Sequence, residues 1–224
     1  MANSVLIQEE LEIPFVFSLA DFRAWAAAEG FPERGRIDYI AGRIEVDMSP
    51  EDLYCHGQPK TQIVLALGNL VYPLGLGELF IDRTRVSSVE ADLSTEPDIV
   101  FISEASLETG RVRPVPKATG EADRFVEFEG APDLVVEIVS DGSVAKDTRR
   151  LPAAYWKAGV REFWLADLCG DEVVFRIHHD TEDGYVPAPV DADGFQHSEV
   201  FNRRFRLIRR RNSRGRWTYE LEST

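Results

Sequence analysis

Apolar residues recur with two different periods in the first third of the chain, and these periods predict its local structure. A capping-box sequence at 18–21 precedes apolar residues at helical spacing, which predicts a short helix that ends near Gly30. Residues 36–40 and 43–48 alternate between polar and apolar side chains around a two-residue turn, as is typical of a β-hairpin. Helical spacing over about 56–72 then predicts a longer and largely buried helix.

The middle of the chain contains apolar runs that predict a sheet covered by helices. Strand patterns occupy 79–89 and 99–102, and the nearly continuous apolar run at 133–139 is typical of a central strand buried on both faces. A helix is predicted over about 143–158, and a buried strand follows at 161–166. A strand, a helix and a strand in this order indicate a crossover connection and therefore an α/β fold.

The remaining segments predict additions to this α/β unit. Residues 106–124 are rich in glycine, proline and charged residues, which favours an irregular loop. Short strand patterns near the C-terminus predict antiparallel β additions. These lie at 172–179, 184–187 and 199–208.

The composition is typical of a globular protein. The chain has 224 residues, of which 44% are hydrophobic and 29% charged, so it can bury a sizeable core and is not disordered throughout. No repeat or low-complexity linker divides it. We therefore expect a single domain over 1–224, with a core at about 15–170 and a β extension with an arginine-rich tail at 171–224.

Targeting signals and cysteine usage give expectations about location. No run of about 18 uninterrupted apolar residues exists, so we expect no membrane span. The first residues lack the basic segment that precedes the apolar stretch of a secretory signal. Cys55 and Cys169 have no metal-type spacing and are too few for a disulfide framework. We therefore expect a cytoplasmic protein with no membrane partner.

Charge is distributed unevenly along the chain. The net charge is −14, yet residues 203–216 contain eight arginines and no acidic residue. The rest of the chain carries 17 basic and 39 acidic residues, a net charge of −22, which argues against nucleic acid as a partner. The arginine-rich segment is either a solvated strand edge or a polyanion contact. In the second interpretation, the contacting residues are Arg209, Arg210 and Arg211.

Two acidic residues in apolar strands are the main candidates for chemistry. The chain contains no GxSxG elbow, P-loop, GxGxxG, HExxH or CxxC motif. Asp98 begins the strand pattern at 99–102, and Glu137 lies inside the apolar run at 133–139. Burial makes an unpaired carboxylate costly, so each acid either pairs with a cation such as an arginine or serves a function.

Carboxylates on neighbouring strands provide oxygen ligands for a hard divalent cation. A nearby lysine would complete a phosphodiester-cleaving site, because the metal lowers the pKa of a bound water and the lysine stabilises the developing charge. Lys146 follows the strand of Glu137 in the first turn of a predicted helix, from which its side chain can reach the strand end. Tyr155, farther along that helix, is interpreted as core packing.

Four short motifs, in their order and spacing, resemble one protein family. They are G-R-I-E-V-D-M-S-P at 42–50, P-D-I-V-F-I at 97–102, V-V-E-I-V-S-D-G-S-V-A-K-D-T at 135–148 and Y-W-K-A-G-V-R-E-F-W-L-A-D at 155–167. The chain thus resembles the Uma-two family, within the restriction-endonuclease-like PD-(D/E)XK superfamily, over about 15–170. The resemblance implies a mixed sheet flanked by helices and a Mg²⁺-dependent endonuclease, with Mn²⁺ as a substitute.

The resemblance assigns roles to three residues of the predicted strands. Asp98 matches the aspartate of the PD motif, and Glu137 matches the acid of the (D/E)XK motif. The carbonyl of Val139 is then the third metal ligand. Position 139 is also where the superfamily lysine belongs, so the chain departs from that pattern.

Uma-two members generally carry the missing lysine on the following helix. Many have it at the position where this chain has Leu151. Lys146 is our candidate for the catalytic lysine, with Arg149 and Arg150 as alternatives. Without such a group, the fold would be that of an inactive nuclease.

Glu45 and His56 match further family positions. Glu45 is either an additional metal or water ligand or an outward-facing strand residue. His56 either joins the site or caps a helix at the surface.

Together, these features predict a metal-dependent nuclease that hydrolyses nucleic-acid phosphodiester bonds, with DNA as the expected partner. A homodimer is left open. Two alternatives stand beside this prediction. One is a catalytically inactive nuclease fold that serves as a binding or assembly module, which the acidic composition favours. The other is a hydrolase of a non-nucleic phosphoester.

Overall fold

Two six-stranded sheets and one three-stranded sheet form the framework of the protein. The structure is a computed structural model, and it describes residues 13–224. The first sheet contains, in spatial order, β2 (Arg43–Asp47), β1 (Arg36–Ile40), β5 (Leu93–Thr95), β4 (Arg85–Ser88), β8 (Phe125–Gly130) and β7 (Val112–Pro116).

The second sheet holds the central strands of the fold. Its order is β12 (Gly184–Pro187), β11 (Val174–Thr181), β10 (Glu162–Asp167), β9 (Leu134–Ile138), β6 (Ile99–Ser103) and β3 (Gly77–Ile81). The third sheet contains β13 (Gln196–Ser198), β14 (Arg203–Arg211) and β15 (Trp217–Ser223).

Within the described residues, four α-helices and two π-helical turns join these strands. They are α1 (Leu19–Ala26), α2 (Gln58–Leu74), α3 (Glu104–Glu108) and α4 (Leu151–Ala158), with the turns Leu53–Gly57 before α2 and Lys146–Arg150 before α4. No helix in the described part of the chain is long and apolar enough to span a membrane.

The predicted hairpin and crossover are confirmed. Strands β1 and β2 pair antiparallel, and the turn residues Ala41 and Gly42 have φ of 48° and 80°, as a two-residue hairpin turn requires. Strand β9 is completely buried and pairs in parallel with β10 through α4, which gives the mixed α/β fold. Gly159 ends α4 with φ of 82°, as its position predicted.

Several predicted boundaries are wrong. The pattern at 79–89 is two strands, β3 and β4, in different sheets. Asp82 and Arg83 separate them, because their φ values of 25° and 54° interrupt the extended backbone. The loop predicted at 106–124 instead includes part of α3 and all of β7.

Two further corrections concern helix α4 and the C-terminus. The helix predicted from Ser143 to about Ala158 is present from Val144, but Lys146–Arg150 is a π-helical turn, and α4 with its Pro152 follows it from Leu151. The predicted arginine-rich tail is not a tail but the hairpin of β14 and β15. The side-chain oxygen of Asn212 accepts hydrogen bonds from the backbone of Arg214 and Arg216 and thereby stabilises the turn.

Both faces of the second sheet are covered. Helix α2 packs Ile63 and Leu67 on one face, in a cluster that includes Trp164 and residues of the third sheet. On the other face, α4 packs Leu151 and Tyr155 with residues of β1, β5, β9 and β10. Burial on both sides explains the continuous apolar sequence of β9. It also makes any acid within β9 a buried acid.

Candidate active site

Asp98 and Glu137 lie at the same end of two neighbouring strands. Strands β6 and β9 are antiparallel, and Ile99 is paired with Val136. One step farther along this register, Asp98 lies opposite Glu137. Both side chains are fully buried, and the backbone N–H of Ile138 donates to Asp98 Oδ2 at 2.7 Å. The structure therefore brings the two predicted acids together.

Arg36, at the start of β1, contacts both carboxylates. Its Nη2 is 2.7 Å from Asp98 Oδ1, and its Nη1 is 3.7 Å from Glu137 Oε2. Burial lowers the pKa of Arg36, but the charges of Asp98 and Glu137 raise it further, so the guanidinium stays charged. The pairing of a buried acid with an arginine, the structural alternative for Glu137, is present in this structure.

Two more cationic side chains surround Asp98. His56 Nε2 is 3.3 Å from Asp98 Oδ2, and Lys60 Nζ is 3.2 Å from Asp98 Oδ1. Burial alone would raise the pKa of Asp98, but the hydrogen bond from His56 and the charge of Arg36 hold it well below its ordinary value. Asp98 is therefore an anion throughout the physiological pH range.

Glu137 has the opposite protonation preference. Burial and the charge of Asp98 raise the pKa of Glu137 to about 8. Tyr155 donates its hydroxyl to Glu137 Oε1 at 2.5 Å, so this tyrosine does more than pack the core. Glu137 Oε2 has no hydrogen-bond partner among the described residues. One carboxyl of the pair thus keeps a buried oxygen that only a cation contacts.

Lys146 points into the protein rather than to solvent. Its Nζ is 2.9 Å from Asp38 Oδ2, and both side chains are buried. Burial lowers the pKa of Lys146, but the charge of Asp38 outweighs this effect and raises it. Asp38 is held in turn by the Thr95 hydroxyl and the Glu96 backbone N–H, at 3.0 and 3.1 Å. Lys146 is therefore fixed against Asp38, and its positive charge interacts electrostatically with Glu137.

Glu45 is not placed with the buried acids. Its carboxylate pairs with Arg150 Nε at 2.7 Å, and the Arg150 side chain is 42% exposed. This geometry fits the outward-facing interpretation of Glu45. It also shows that Arg150, one alternative to Lys146, is committed to a surface ion pair.

His56 is part of the buried cluster and not a surface cap. Asp52 accepts hydrogen bonds from the backbone of Tyr54 and Cys55 at 2.7 and 2.8 Å, which fixes the turn that carries His56. His56 Nδ1 is 3.2 Å from Glu51 Oε2. Burial lowers the pKa of His56, but the hydrogen bonds to Asp98 and Glu51 raise it to about 9.

The carbonyl of Val139, the third ligand implied by the family resemblance, has a different neighbour. The Sγ of Cys169 is 3.8 Å from this oxygen. The backbone N–H of Val139 donates to Ala166 on β10 at 2.8 Å. The structure thus directs the Val139 carbonyl to Cys169.

Several residues of the cluster were not predicted from the sequence. Arg36 and Asp38 lie on the hairpin strand opposite Glu45, and Lys60 lies in the first turn of α2. Asp147 is buried beside Lys146, where burial raises the pKa of its carboxyl to about 6. Asp38 stands at a polar position of an alternating strand, which predicts an outward side chain, so no local signal indicated its burial.

A cavity of about 360 Å³ opens beside the cluster. Arg36, Glu51 and His56 line it, together with Gly35, Asp47, Ser49, Pro50, Asp82, Arg83, Glu96 and Ser140. Asp98 and Glu137 have no exposed surface and are not among its lining residues. The guanidinium of Arg36 and the imidazole of His56 therefore separate the two acids from the cavity.

The arginines of β14 have partners within the protein. Arg209 donates to the carbonyls of Leu168 and Gly170. Arg211 lies 3.7 Å from the centre of the Trp217 ring. Arg210, on the other face of the strand, pairs with Glu220 and Glu222 at 3.8 and 3.6 Å. The three candidate contact residues are thus divided between two faces. Their contact with nucleic acid stays a prediction.

The mixed α/β fold, with two acids at the ends of neighbouring strands, is compatible with a restriction-endonuclease-like fold. The model of the Uma2 family, described as "Putative restriction endonuclease", matches residues 19–208. The chain belongs to this family, as its motifs predicted.

A solved structure supports the fold assignment. It is described as a putative nuclease belonging to DUF820 from Anabaena variabilis ATCC 29413, and it matches with a TM-score of 0.61. The two chains are 21% identical, and the match covers 84% of this chain and 92% of the other. At this identity the likeness shows the fold alone. No curated protein matches the chain.

Proposed function

We propose that this protein is a metal-dependent nuclease in which Asp98 and Glu137 hold Mg²⁺, with Mn²⁺ as a substitute. The observation that carries the proposal is the fully buried Glu137 Oε2, which lies across the strand pair from Asp98 and has no hydrogen-bond partner among the described residues. Carboxylate oxygens are the ligands that these hard cations prefer. The donor set therefore fits a divalent cation once Glu137 is ionised and Arg36 has moved.

A divalent cation bound there would supply Lewis-acid activation of a phosphodiester and of a water molecule. The chain's own groups then have separate tasks. Tyr155 fixes the orientation of Glu137 through its hydroxyl. Lys146, held by Asp38, provides a buried positive charge beside the developing phosphorane. His56, which lines the cavity and is protonated at neutral pH, faces the side from which substrate enters.

The proposed substrate is DNA, and its proposed second contact is the arginine-rich strand β14. Cavity-lining Arg36, His56 and Arg83 offer positive charge to a phosphate, although four acidic residues line the same cavity and the net charge of the chain is −14. Arg209 and Arg211 lie on the face of β14 that carries Trp217, and we assign the DNA contact to that face.

The test is cleavage of supercoiled plasmid in Mg²⁺ or Mn²⁺, with EDTA as the metal-free reference. We expect wild-type cleavage with either metal and none with EDTA. Asp98→Asn and Glu137→Gln should abolish cleavage, whereas Glu45→Gln, a surface carboxylate change of the same kind, should retain it. Equal cleavage by all four proteins would contradict the proposal.

A second candidate function has one specific observation in its favour. Leu151, at the position where many Uma-two members have lysine, is fully buried in an apolar cluster. A chain without that lysine would be a nuclease fold that binds but does not cut. Retarded migration of a DNA oligonucleotide, with no cleavage in any metal, would favour this binding module.

A further inference from the structure

Arg36 occupies the gap between the two buried carboxylates. Among the ion pairs of the described residues, its guanidinium is the cation that contacts both Asp98 and Glu137. It holds Asp98 at hydrogen-bond distance, whereas its contact with Glu137 is 3.7 Å long. The interaction of Arg36 with Glu137 is therefore weaker than its interaction with Asp98.

A guanidinium and a divalent cation cannot share this gap. Like charges within about 4 Å repel by several kcal/mol at the effective dielectric of a protein. Arg36 already occupies Asp98 Oδ1 and Glu137 Oε2, so a divalent cation would compete with it for the same two carboxylates. Binding of one requires departure of the other.

The structure offers Arg36 a place to go. Its side chain already lines the cavity, and four acidic residues line the same cavity: Asp47, Glu51, Asp82 and Glu96. Backbone pairing with Asp47 anchors Arg36 in β1, so the side chain can move while the strand stays in place. A guanidinium that has moved into the cavity faces the side from which we propose that substrate enters.

We propose that Arg36 is a counter-ion that a divalent cation displaces from between Asp98 and Glu137. This inference rests on the proposed function and concerns the control of the same site. The displaced guanidinium lies in the cavity, where its planar set of donors suits a phosphate of the substrate. Metal binding and substrate binding are thereby coupled through one side chain.

The test measures Mn²⁺ affinity by isothermal titration calorimetry at pH 8, with no substrate present. Arg36→Gln removes the competing charge, and Arg36→Lys keeps a positive charge without the fork of donors. Arg43→Gln, an exposed change in the partner strand of the same hairpin, is the matched control. Circular dichroism establishes that each variant is folded.

We expect Arg36→Gln to bind Mn²⁺ roughly tenfold more tightly than wild type, within the usual range of coupling between two sites. The Mn²⁺ affinity of Arg36→Lys should lie between those of the wild type and Arg36→Gln. The affinity of Arg43→Gln should equal that of the wild type. Equal or weaker affinity in Arg36→Gln would overturn the counter-ion role and leave the proposed function intact. No Mn²⁺ binding to any variant would overturn the metal site, and with it both proposals.

A second, independent observation concerns the two cysteines. The Sγ atoms of Cys55 and Cys169 are 2.6 Å apart, although both residues are free thiols. Cys55 lies in the π-helical turn directly before His56. Cys169 follows β10 and is exposed. The pair thus joins the element that carries His56 to the end of the central sheet.

We infer that Cys55 and Cys169 are a site of reversible disulfide formation by a peroxide. Burial raises the pKa of the Cys169 thiol, so the step begins with loss of its proton; the sulfur then attacks the peroxide O–O bond to give a sulfenic acid and release water or an alcohol. The Cys55 sulfur would then displace the sulfenic oxygen as water, which forms the S–S bond. Two thiols are oxidised and one peroxide is reduced. The new bond fixes the turn that carries His56.

The test is intact-mass spectrometry and thiol titration after exposure to hydrogen peroxide. Wild type should lose two hydrogen atoms and both titratable thiols, and a reductant should restore them. Cys169→Ser is the control that lacks the pair and should not form this intramolecular bond. Persistence of both thiols in the wild type, or a gain of oxygen atoms without loss of the Cys55 thiol, would overturn the inference.

Discussion

Replacing Glu137 by glutamine removes a titrating group from the buried site while preserving its shape. The pKa of Glu137 is raised from an ordinary 4.5 to about 8 by burial and by the charge of Asp98. Because the folded state holds this proton more tightly than the unfolded chain, the stability it contributes is complete below about pH 4.5 and is lost as the pH rises to about 8. Each pH unit in this interval is worth about 1.4 kcal/mol.

The wild type should therefore lose roughly 3 kcal/mol of unfolding free energy relative to Glu137→Gln between pH 6 and pH 9. Urea denaturation in EDTA at pH 6, 7.5 and 9 measures this difference, and all three values lie above the pI of about 4.8. Glu45→Gln, whose carboxylate pairs at the surface, should follow the wild type. If the difference in unfolding free energy between the wild type and Glu137→Gln is independent of pH, the pKa of Glu137 is not raised.

Three further predictions concern neighbouring groups. Lys146→Met leaves the buried carboxylate of Asp38 without its cation, so the unfolding free energy should fall by about 3–5 kcal/mol. Plasmid cleavage should also stop, and cleavage by this variant at the wild-type rate would exclude a catalytic role for Lys146. Tyr155→Phe leaves Glu137 Oε1 without its hydrogen-bond donor and should lower the unfolding free energy measured by urea denaturation by about 1–3 kcal/mol. An unchanged unfolding free energy would mean that this hydrogen bond is absent. Arg211→Ser should lower the salt slope of oligonucleotide binding by about one unit, and Arg210→Ser should leave it unchanged; equal slopes in wild type and both variants would make these arginines internal counter-ions.

The central part of the fold could be predicted because its sequence signals are local. The continuous apolar run of β9 follows directly from the burial of both its faces, whereas β1 alternates in sequence although both its faces are covered. The acidic pair followed from the same argument, since an acid in a doubly covered strand has to be explained. The break between β3 and β4 could not be predicted, because Asp82 and Arg83 adopt left-handed backbone that their residue types do not require.

The cations of the site could not be predicted from local sequence. Arg36 and Lys60 stand at positions where polar residues of a hairpin and a helix start are ordinary, and their burial depends on the packing of β1 and α2 around Asp98. The family resemblance drew attention to Glu45 on the opposite hairpin strand, whose neighbour is Arg150. Side-chain pairing across distant elements is set by tertiary structure, which the sequence pattern does not report.

Anomalous diffraction from crystals soaked with Mn²⁺ would locate the metal. We predict an anomalous peak between the carboxylates of Asp98 and Glu137, with the guanidinium of Arg36 moved into the cavity. An empty gap at saturating Mn²⁺, with Arg36 still bound to both acids, would contradict this prediction.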